Sequence, residues 1–142
     1  MTQSNVVITP GQEEEQVTID EVHLQRMTLG DRSLEREVLK IFARQTILTL
    51  ERIAGFGPAR AAAAAHTLKG SARGIGAWRV AQAAERLEQA AAAGEGDERA
   101  MRAAVAELEA ASFEARMAIE LRLAEHEDQP LTGMLDDRSR GH

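Results

Sequence analysis

Apolar residues recur at intervals of three and four along four long segments of this chain, and glycine-containing breaks separate those segments. Such spacing is typical of amphipathic helices, each with one apolar stripe that must be buried. Only 3% of residues are aromatic while 44% are hydrophobic, so the core has to be built from alanine and aliphatic side chains. Because alanine-rich periodic segments favour helix, the pattern predicts an all-α protein.

Helix boundaries are marked by capping residues and by glycine. A short helix capped by Asp20 is predicted to run to Met27 and to be ended by Gly30, and the first long helix then starts at Asp31 or Ser33. The four long helices are predicted to cover about 33–54, 59–73, 77–93 and 97–125. Their predicted buried stripes are, in chain order, Leu34, Val38, Ile41, Phe42 and Leu48; Ala61, Ala65, Leu68, Ala72 and Ile75; Val80, Ala83, Ala84, Leu87 and Ala91; and Met101, Val105, Leu108, Ser112, Ala115 and Ile119.

The short connections between these helices predict how they are arranged. Short turns make consecutive helices antiparallel, so the expected fold is an up-down-up-down four-helix bundle with a short extra N-terminal helix over one end. Residues 1–17 are polar, with an acidic run at 13–15, and are predicted to be a disordered leader with a short extended piece at 6–8. The bundle is predicted to span 18–126, and 127–142 to be a disordered tail.

Composition excludes several classes of function. The net charge is −6 and no basic stripe with interleaved aromatic residues occurs, which argues against nucleic-acid binding. No stretch approaches the roughly 20 apolar residues of a membrane span, and the N-terminus does not resemble a secretory signal. The chain has no cysteine, which excludes disulfides and thiolate metal sites. A cytoplasmic protein is the expectation.

One histidine has surroundings that suggest chemistry. His66 begins the run His66-Thr67-Leu68-Lys69-Gly70-Ser71-Ala72-Arg73. Each helical residue advances by about 100°, so Leu68 points roughly 200° away from His66. If Leu68 faces the core, His66 faces water, and Lys69 and Gly70 lie beside it on the exposed face.

This layout suits a histidine that carries a phosphoryl group. A neutral imidazole nitrogen is available for attack on phosphorus near neutral pH. Phosphorylation adds about two negative charges, which Lys69 can stabilise. Gly70 leaves space for the phosphoryl group and its donor, and the small alanines around His66 permit a docking partner to approach closely.

The glycine turn at 74–76 predicts what lies opposite His66. It folds the next helix back, so that His66 comes near the segment 84–88. Glu88 and Gln82 are the polar candidates on that helix. Glu88 is placed to accept a hydrogen bond from one imidazole nitrogen and so to fix the tautomer of the ring.

These residues also resemble a known family signature. The run from His66 to Ala72, followed by Gly76-Ala77, Val80 and Leu87-Glu88 at their observed spacings, is similar to that of histidine-containing phosphotransfer (HPt) domains, over about 20–110. The resemblance implies a four-helix bundle that relays phosphate between receiver-domain aspartates in multistep two-component signalling. It implies that His66 is the phosphoacceptor, Lys69 its electrostatic partner and Gly70 the steric opening. The family often has glutamine or another polar residue where this chain has Glu88.

The resemblance also implies the partners. They would be the receiver domains of response regulators and of a hybrid histidine kinase, and no cofactor or metal of the chain's own is expected. Candidate docking residues are Thr67, Arg73, Met27 and Leu29, with the region 32–36. Arg73 occupies a position that is usually smaller or uncharged in such domains. Because four long helices can close a bundle within one chain, a monomer is expected.

Two alternatives to a phosphate carrier remain open. One is a helical adaptor that binds a receiver or kinase without accepting phosphate, and the other is a dimer that resembles the dimerisation half of a histidine kinase. No phosphate-cradling glycine loop is present, so the chain is expected to have neither autokinase nor ATPase activity. The other histidines, His23, His126 and His142, are expected to be packing or surface residues, and no histidine pair has metal-ligand spacing.

Overall fold

Helices make up all the regular structure that is described. The computed structural model describes residues 18–55, 57–93 and 97–141, with side chains up to residue 125. The helices are α1 (Glu21–Thr28), α2 (Arg32–Gly55), α3 (Pro58–Ile75), α4 (Trp78–Ala92) and α5 (Glu98–Gly141). Within those residues no strand occurs, so the predicted all-α class is confirmed. None of the helices in this part of the chain is both long and apolar enough to cross a membrane.

The ends of α1 follow from capping. The Asp20 carboxylate accepts a hydrogen bond from the backbone N–H of His23 at 3.2 Å, which satisfies a donor of the first turn. Leu29 ends the helix in the left-handed region at φ 55°. The Asp31 carboxylate then accepts from the N–H of Leu34 at 3.1 Å, so Asp31 is the residue that caps α2.

The long helices pack in a closed circuit. Helix α2 contacts α3, α3 contacts α4, α4 contacts α5, and α5 returns to contact α2, while α1 lies against α2 and α3. The core inside this circuit is aliphatic, with Leu24, Leu39, Leu68, Leu87 and Leu108 fully buried. The described elements therefore form a helical bundle.

The predicted apolar stripes of α3, α4 and α5 largely match the observed core. All five stripe residues of α3 are buried, as are four of the five in α4 and the last four of α5; Ala91, Met101 and Val105 are half-buried. Because these helices have small or aliphatic residues on one face and charges on the other, periodicity was sufficient to identify the buried side.

The predicted stripe of α2 was wrong. Leu34, Ile41 and Leu48 are 43%, 64% and 46% exposed, Val38 is half-buried, and only Phe42 is buried. The face of α2 that enters the core contains Glu35, Leu39, Phe42, Thr46, Thr49 and Ile53.

Polar residues on the buried face explain that error. Glu35 Oε2 accepts from Arg122 Nε at 2.6 Å. The Thr46 hydroxyl donates to the carbonyl of Ala43 at 2.7 Å and accepts from Arg116 Nη1 at 3.0 Å. Since Glu35 and Thr46 both have hydrogen-bond partners, their burial does not incur the cost of an unsatisfied group, and apolar periodicity alone did not reveal it.

Helix α5 is longer than predicted. It continues to Gly141, so the predicted end near Glu125 was wrong, and the segment predicted as a disordered tail is helical as far as Gly141. The segment contains the strong helix formers Leu131, Met134 and Leu135. The predicted leader at 1–17, with its extended piece at 6–8, lies outside the described residues and stays a prediction.

The turn between α3 and α4 is fastened to the start of α1. The carbonyl of Gly76 accepts a hydrogen bond from the backbone N–H of Asp20 at 2.9 Å. The indole Nε1 of Trp78 donates to the Asp20 carboxylate at 2.9 Å. Burial raises the pKa of Asp20, but the hydrogen bonds from Trp78 and from the backbone of His23 outweigh it and hold that pKa below its usual value.

Gly76 is required in this turn for two reasons, and its replacement by alanine is expected to destabilise the fold. Its φ is +84°, and a Cβ there would come within 2.9 Å of the Asp20 Cβ. We expect Gly76→Ala to lower the free energy of unfolding in urea by about 2–4 kcal/mol. Gly30 is the matched control, because its φ is +75° but a Cβ would meet nothing within 4 Å. Gly30→Ala should therefore cost only about 1 kcal/mol, and equal losses would contradict the steric argument.

Candidate functional site

His66 lies on the outer surface of α3. Its side chain is 69% exposed, whereas Leu68, two residues further on, is fully buried. Ala65 is buried on the preceding position and Ala63 and Ala64 are small, so no large neighbour on α3 covers the ring. The helical register thus presents the imidazole to solvent on a low surface.

Glu88 of α4 holds the imidazole and an ammonium group at the same time. Its Oε2 lies 2.7 Å from His66 Nδ1, and its Oε1 lies 2.6 Å from Lys69 Nζ. The Glu88 side chain is 22% exposed and that of Lys69 is 15% exposed. One partly buried carboxylate therefore connects the two residues that the sequence placed in the site.

The contact with Glu88 determines which imidazole nitrogen is free. An ionised carboxylate can only accept hydrogen bonds, so Nδ1 must carry the proton and donate it to Glu88. In the neutral ring Nε2 then keeps its lone pair. Nε2 has no hydrogen-bond partner among the residues that are described, and it is the nitrogen available for attack.

Glu88 is ionised in the resting site. Burial raises the pKa of its carboxyl group, but the hydrogen bonds and charges of Lys69 and His66 outweigh burial and leave the pKa below its usual value. The carboxylate is therefore negatively charged at neutral pH and can accept from the ring as described.

Lys69 departs from the prediction that it lies on the exposed face beside His66. Its side chain folds towards α4 and is only 15% exposed, because the long aliphatic stem can pack while the ammonium reaches Glu88. The Lys69 ammonium therefore lies in the site, but it is paired with the Glu88 carboxylate rather than exposed to solvent.

Gly70 leaves an opening next to the ring. A Cβ built at Gly70 would meet nothing within 4 Å, and the same holds for Gly74 one turn further on. Thr67 is exposed, and its hydroxyl donates to the carbonyl of Ala63 at 3.2 Å. The surface on this side of His66 is therefore low enough for close approach of a partner.

Comparison with known families identifies the domain. The sequence profile of the Hpt domain family matches residues 36–128, which is more than half of the chain and includes His66, Lys69 and Glu88. The chain belongs to the Hpt domain family. Hpt domains are phosphotransfer modules of two-component phosphorelays, not kinases or ATPases, and they interact with receiver domains and kinases. Neither the curated proteins nor the solved structures gave a significant match.

The remaining candidate residues of this Hpt domain are divided between the site and its surroundings. Of the two polar candidates on α4, Glu88 bonds to His66, whereas Gln82 is half-buried and bonds to no other described residue. Arg73 pairs with Glu85 of α4 at 3.0 Å instead of contacting the ring. Met27 and Leu29 are 55% and 90% exposed at the end of α1.

Sequence reasoning missed a groove between α2 and α3 of the Hpt domain. It has a volume of about 460 Å³, and its walls include Lys40, Ile41, Arg44, Leu48, Arg52 and Thr67. The signal was present in the sequence, because Lys40, Arg44 and Arg52 are separated by multiples of four and so lie along one side of a helix. It was overlooked because Ile41 and Leu48 were assigned to the core.

Proposed function

We propose that this protein relays a phosphoryl group between receiver-domain aspartates, with His66 as the phosphoacceptor. The observation that carries the proposal is the His66–Glu88 contact, which leaves Nε2 unprotonated on an exposed and uncrowded surface. An exposed histidine by itself is not evidence of chemistry. A histidine whose tautomer is fixed by a partly buried carboxylate, with a lysine at the same carboxylate, is a prepared nucleophile.

The transfer step needs no nucleotide. The lone pair of Nε2 attacks the phosphorus of an aspartyl phosphate in line, the Nε2–P bond forms, and the P–O bond to aspartate breaks with its electron pair left on the aspartate carboxylate. Nδ1 keeps its proton and its bond to Glu88 throughout. The receiver supplies Mg²⁺. Since acyl phosphate and phosphohistidine are both high-energy species, a second receiver aspartate can take the group by the reverse step. We therefore propose a chain without autokinase or ATPase activity.

Lys69 has a double role in this proposal. Before transfer its ammonium neutralises Glu88, to which it is 2.6 Å distant. After transfer the phosphoryl group adds about two negative charges near the ring, and the three N–H donors of Lys69 can be shared between Glu88 and the phosphoryl oxygens. Gly70 is proposed as the opening through which the donor phosphate arrives, and Thr67 as part of the surface that it contacts.

We further propose the up-down-up-down arrangement of the four long helices. Ion pairs and hydrogen bonds between neighbours support it, because low residue numbers on one helix meet high numbers on the next. Such pairs are Arg73–Glu85 and Lys69–Glu88 for α3 and α4, Arg79–Glu114 and Arg86–Glu107 for α4 and α5, and Glu35–Arg122 and Thr46–Arg116 for α2 and α5. One chain supplies the whole circuit, which favours a monomer, and a cytoplasmic location is proposed because receiver domains act there.

The proposal is tested by following phosphate from a receiver to this chain. The protein is incubated for short times with a panel of receiver domains carrying labelled aspartyl phosphate, and the label is then treated with acid and with base. Label that is acid-labile, base-stable and close to one phosphoryl group per chain supports the relay. An adaptor would bind a receiver and acquire no label, and that result would overturn the proposal in favour of the adaptor.

Glu88→Gln is expected to increase the phosphorylated fraction of the chain. Glutamine can still accept a hydrogen bond from Nδ1 through its amide oxygen. The substitution removes a negative charge close to the phosphoryl group, and the Lys69 ammonium is then paired with the phosphoryl group alone. We expect the equilibrium ratio of phosphorylated chain to phosphorylated receiver to rise by about three- to tenfold, since about 1 kcal/mol of repulsion is lost. Glu85→Gln is the control, because Glu85 pairs with Arg73 and not with His66. An unchanged ratio in Glu88→Gln, or an equal rise in both variants, would contradict this role.

A further inference from the structure

The groove between α2 and α3 adjoins the proposed phosphoacceptor. Thr67, the residue after His66, lies in the wall of the groove. Ala64, two residues before His66, lies in the same wall. The wall on the other side is formed by α2. A protein that brings an aspartyl phosphate to Nε2 of His66 and also covers Thr67 would therefore lie partly over this groove.

The α2 wall of the groove exposes apolar surface that the bundle does not use. Ile41 is 64% exposed and Leu48 is 46% exposed. They are seven residues apart, about 10.5 Å along the helix axis, and Gln45, which also lines the groove, lies between them. Single exposed apolar residues are common, but a pair in the wall of one groove offers a place for a partner to bury apolar area.

Three cations lie along the same wall as the apolar pair. Lys40, Arg44 and Arg52 all line the groove, and they extend for about 18 Å along α2. Glu37 is the acidic residue of the lining, and it lies 3.8 Å from Lys40. In the part of the chain that is described, Arg44 and Arg52 have no ion-pair or hydrogen-bond partner. A chain with net charge −6 thus presents a basic groove beside His66.

We infer that this groove is the docking site for an acidic surface of the receiver domain, with one apolar side chain of that surface packed against Ile41 and Leu48. The inference rests on the proposed function and names the chemistry of its partner. The cations are spread along the groove rather than directed at one point, which fits a row of carboxylates on a folded surface better than a single small anion. Nucleic acid would be repelled by the acidic remainder of the chain.

Charge complementarity of this kind acts mainly on the rate of association and on partner choice. Exposed opposite charges steer encounters and raise the association rate by about tenfold or more at low salt, and added salt screens the effect. Receivers with acidic docking faces would therefore be phosphorylation partners of this chain, and receivers with basic faces would be excluded by repulsion.

The test uses the full chain with the fastest receiver of a panel, loaded with aspartyl phosphate, in low and high NaCl. We expect Arg44→Glu/Arg52→Glu to lower kcat/KM for transfer by at least about tenfold at low salt, and the deficit to shrink at high salt. The matched control is Arg99→Glu/Arg102→Glu, which makes the same change of charge on exposed positions of α5, a helix without contact to α3. The control should stay within about twofold of wild type.

Failure of this inference can be separated from failure of the proposed function. Phosphoramidate is a small donor that needs no docking surface, so it should label His66 equally in wild type and in Arg44→Glu/Arg52→Glu. If His66 is labelled and transfer from the receiver is unaffected by the charge reversal, the groove is not the docking site. If no donor labels His66, the proposed function fails first. A further variant changes Glu13, Glu14 and Glu15 to glutamine and leaves the groove intact. Faster transfer in this variant than in the wild type would identify the acidic leader as the occupant of the groove and overturn the inference.

Discussion

His66→Gln is expected to abolish phosphoryl uptake and to keep the fold. Glutamine can donate a hydrogen bond to Glu88 from its amide, so the neighbours of the ring retain a partner. Its amide nitrogen has no available lone pair for attack on phosphorus, however, and we expect phosphoryl uptake from a loaded receiver to fall below about 1% of wild type. Because the His66 side chain is 69% exposed, the free energy of unfolding should change by less than about 0.5 kcal/mol.

The measurement is label incorporation at short times, with urea unfolding of the same preparation. His126→Gln is the control, because it removes a histidine of the same chain that the proposal does not use. It should take up phosphate at the wild-type rate. Acid-labile label that persisted in His66→Gln, or that disappeared in His126→Gln, would place the phosphoacceptor elsewhere.

Gly70→Gln is expected to make the protein more stable and less active. The position is helical and open, since a Cβ there would meet nothing within 4 Å. Removing a glycine from a helix interior should raise the free energy of unfolding by about 0.5–1 kcal/mol. The same side chain would stand beside His66, where it would keep the donor phosphate from in-line reach, and we expect kcat/KM for transfer to fall by about 100-fold or more.

Gly74 provides the matched control for Gly70. It is also in α3 with open space around it, but it lies eight residues from His66, about 12 Å along the axis. Gly74→Gln should gain similar stability and transfer phosphate close to the wild-type rate. Equal loss of transfer in both variants would show that general changes in α3, and not the opening beside the ring, account for the effect. Normal transfer in Gly70→Gln would refute the steric role.

The sequence predicted the parts of the fold in which polarity and burial agree. In α3 every residue of the apolar stripe is buried, and this register alone determined that His66 faces outward. In α2 the same reasoning failed, because Glu35 and Thr46 are buried with partners on α5, some 70 to 90 residues away in sequence. Periodicity contains no information about such distant partners, so it assigned Ile41 and Leu48 to the core.

The site was predictable where it depended on a short connection. Because only Gly76 and Ala77 separate α3 from α4, counting residues around the turn brought Glu88 to His66 correctly. The resting position of Lys69 was not predictable in this way. A lysine has a long flexible stem, and whether its ammonium stays in water or reaches a carboxylate on the next helix depends on the spacing between helices, which the sequence does not give.

The two-residue connection between α3 and α4 has a consequence for how signalling proteins of this kind can diversify. His66 and Glu88 belong to one stiff helical hairpin, so their mutual geometry is set without any contribution from α2. The outer side of α2 is consequently free to vary. If the groove is the docking site, substitutions at Lys40, Arg44 or Arg52 would redirect the chain to a differently charged recipient and leave the His66–Glu88 contact unchanged. A single residue inserted between α3 and α4 would instead separate His66 from Glu88 and impair transfer to every recipient at once.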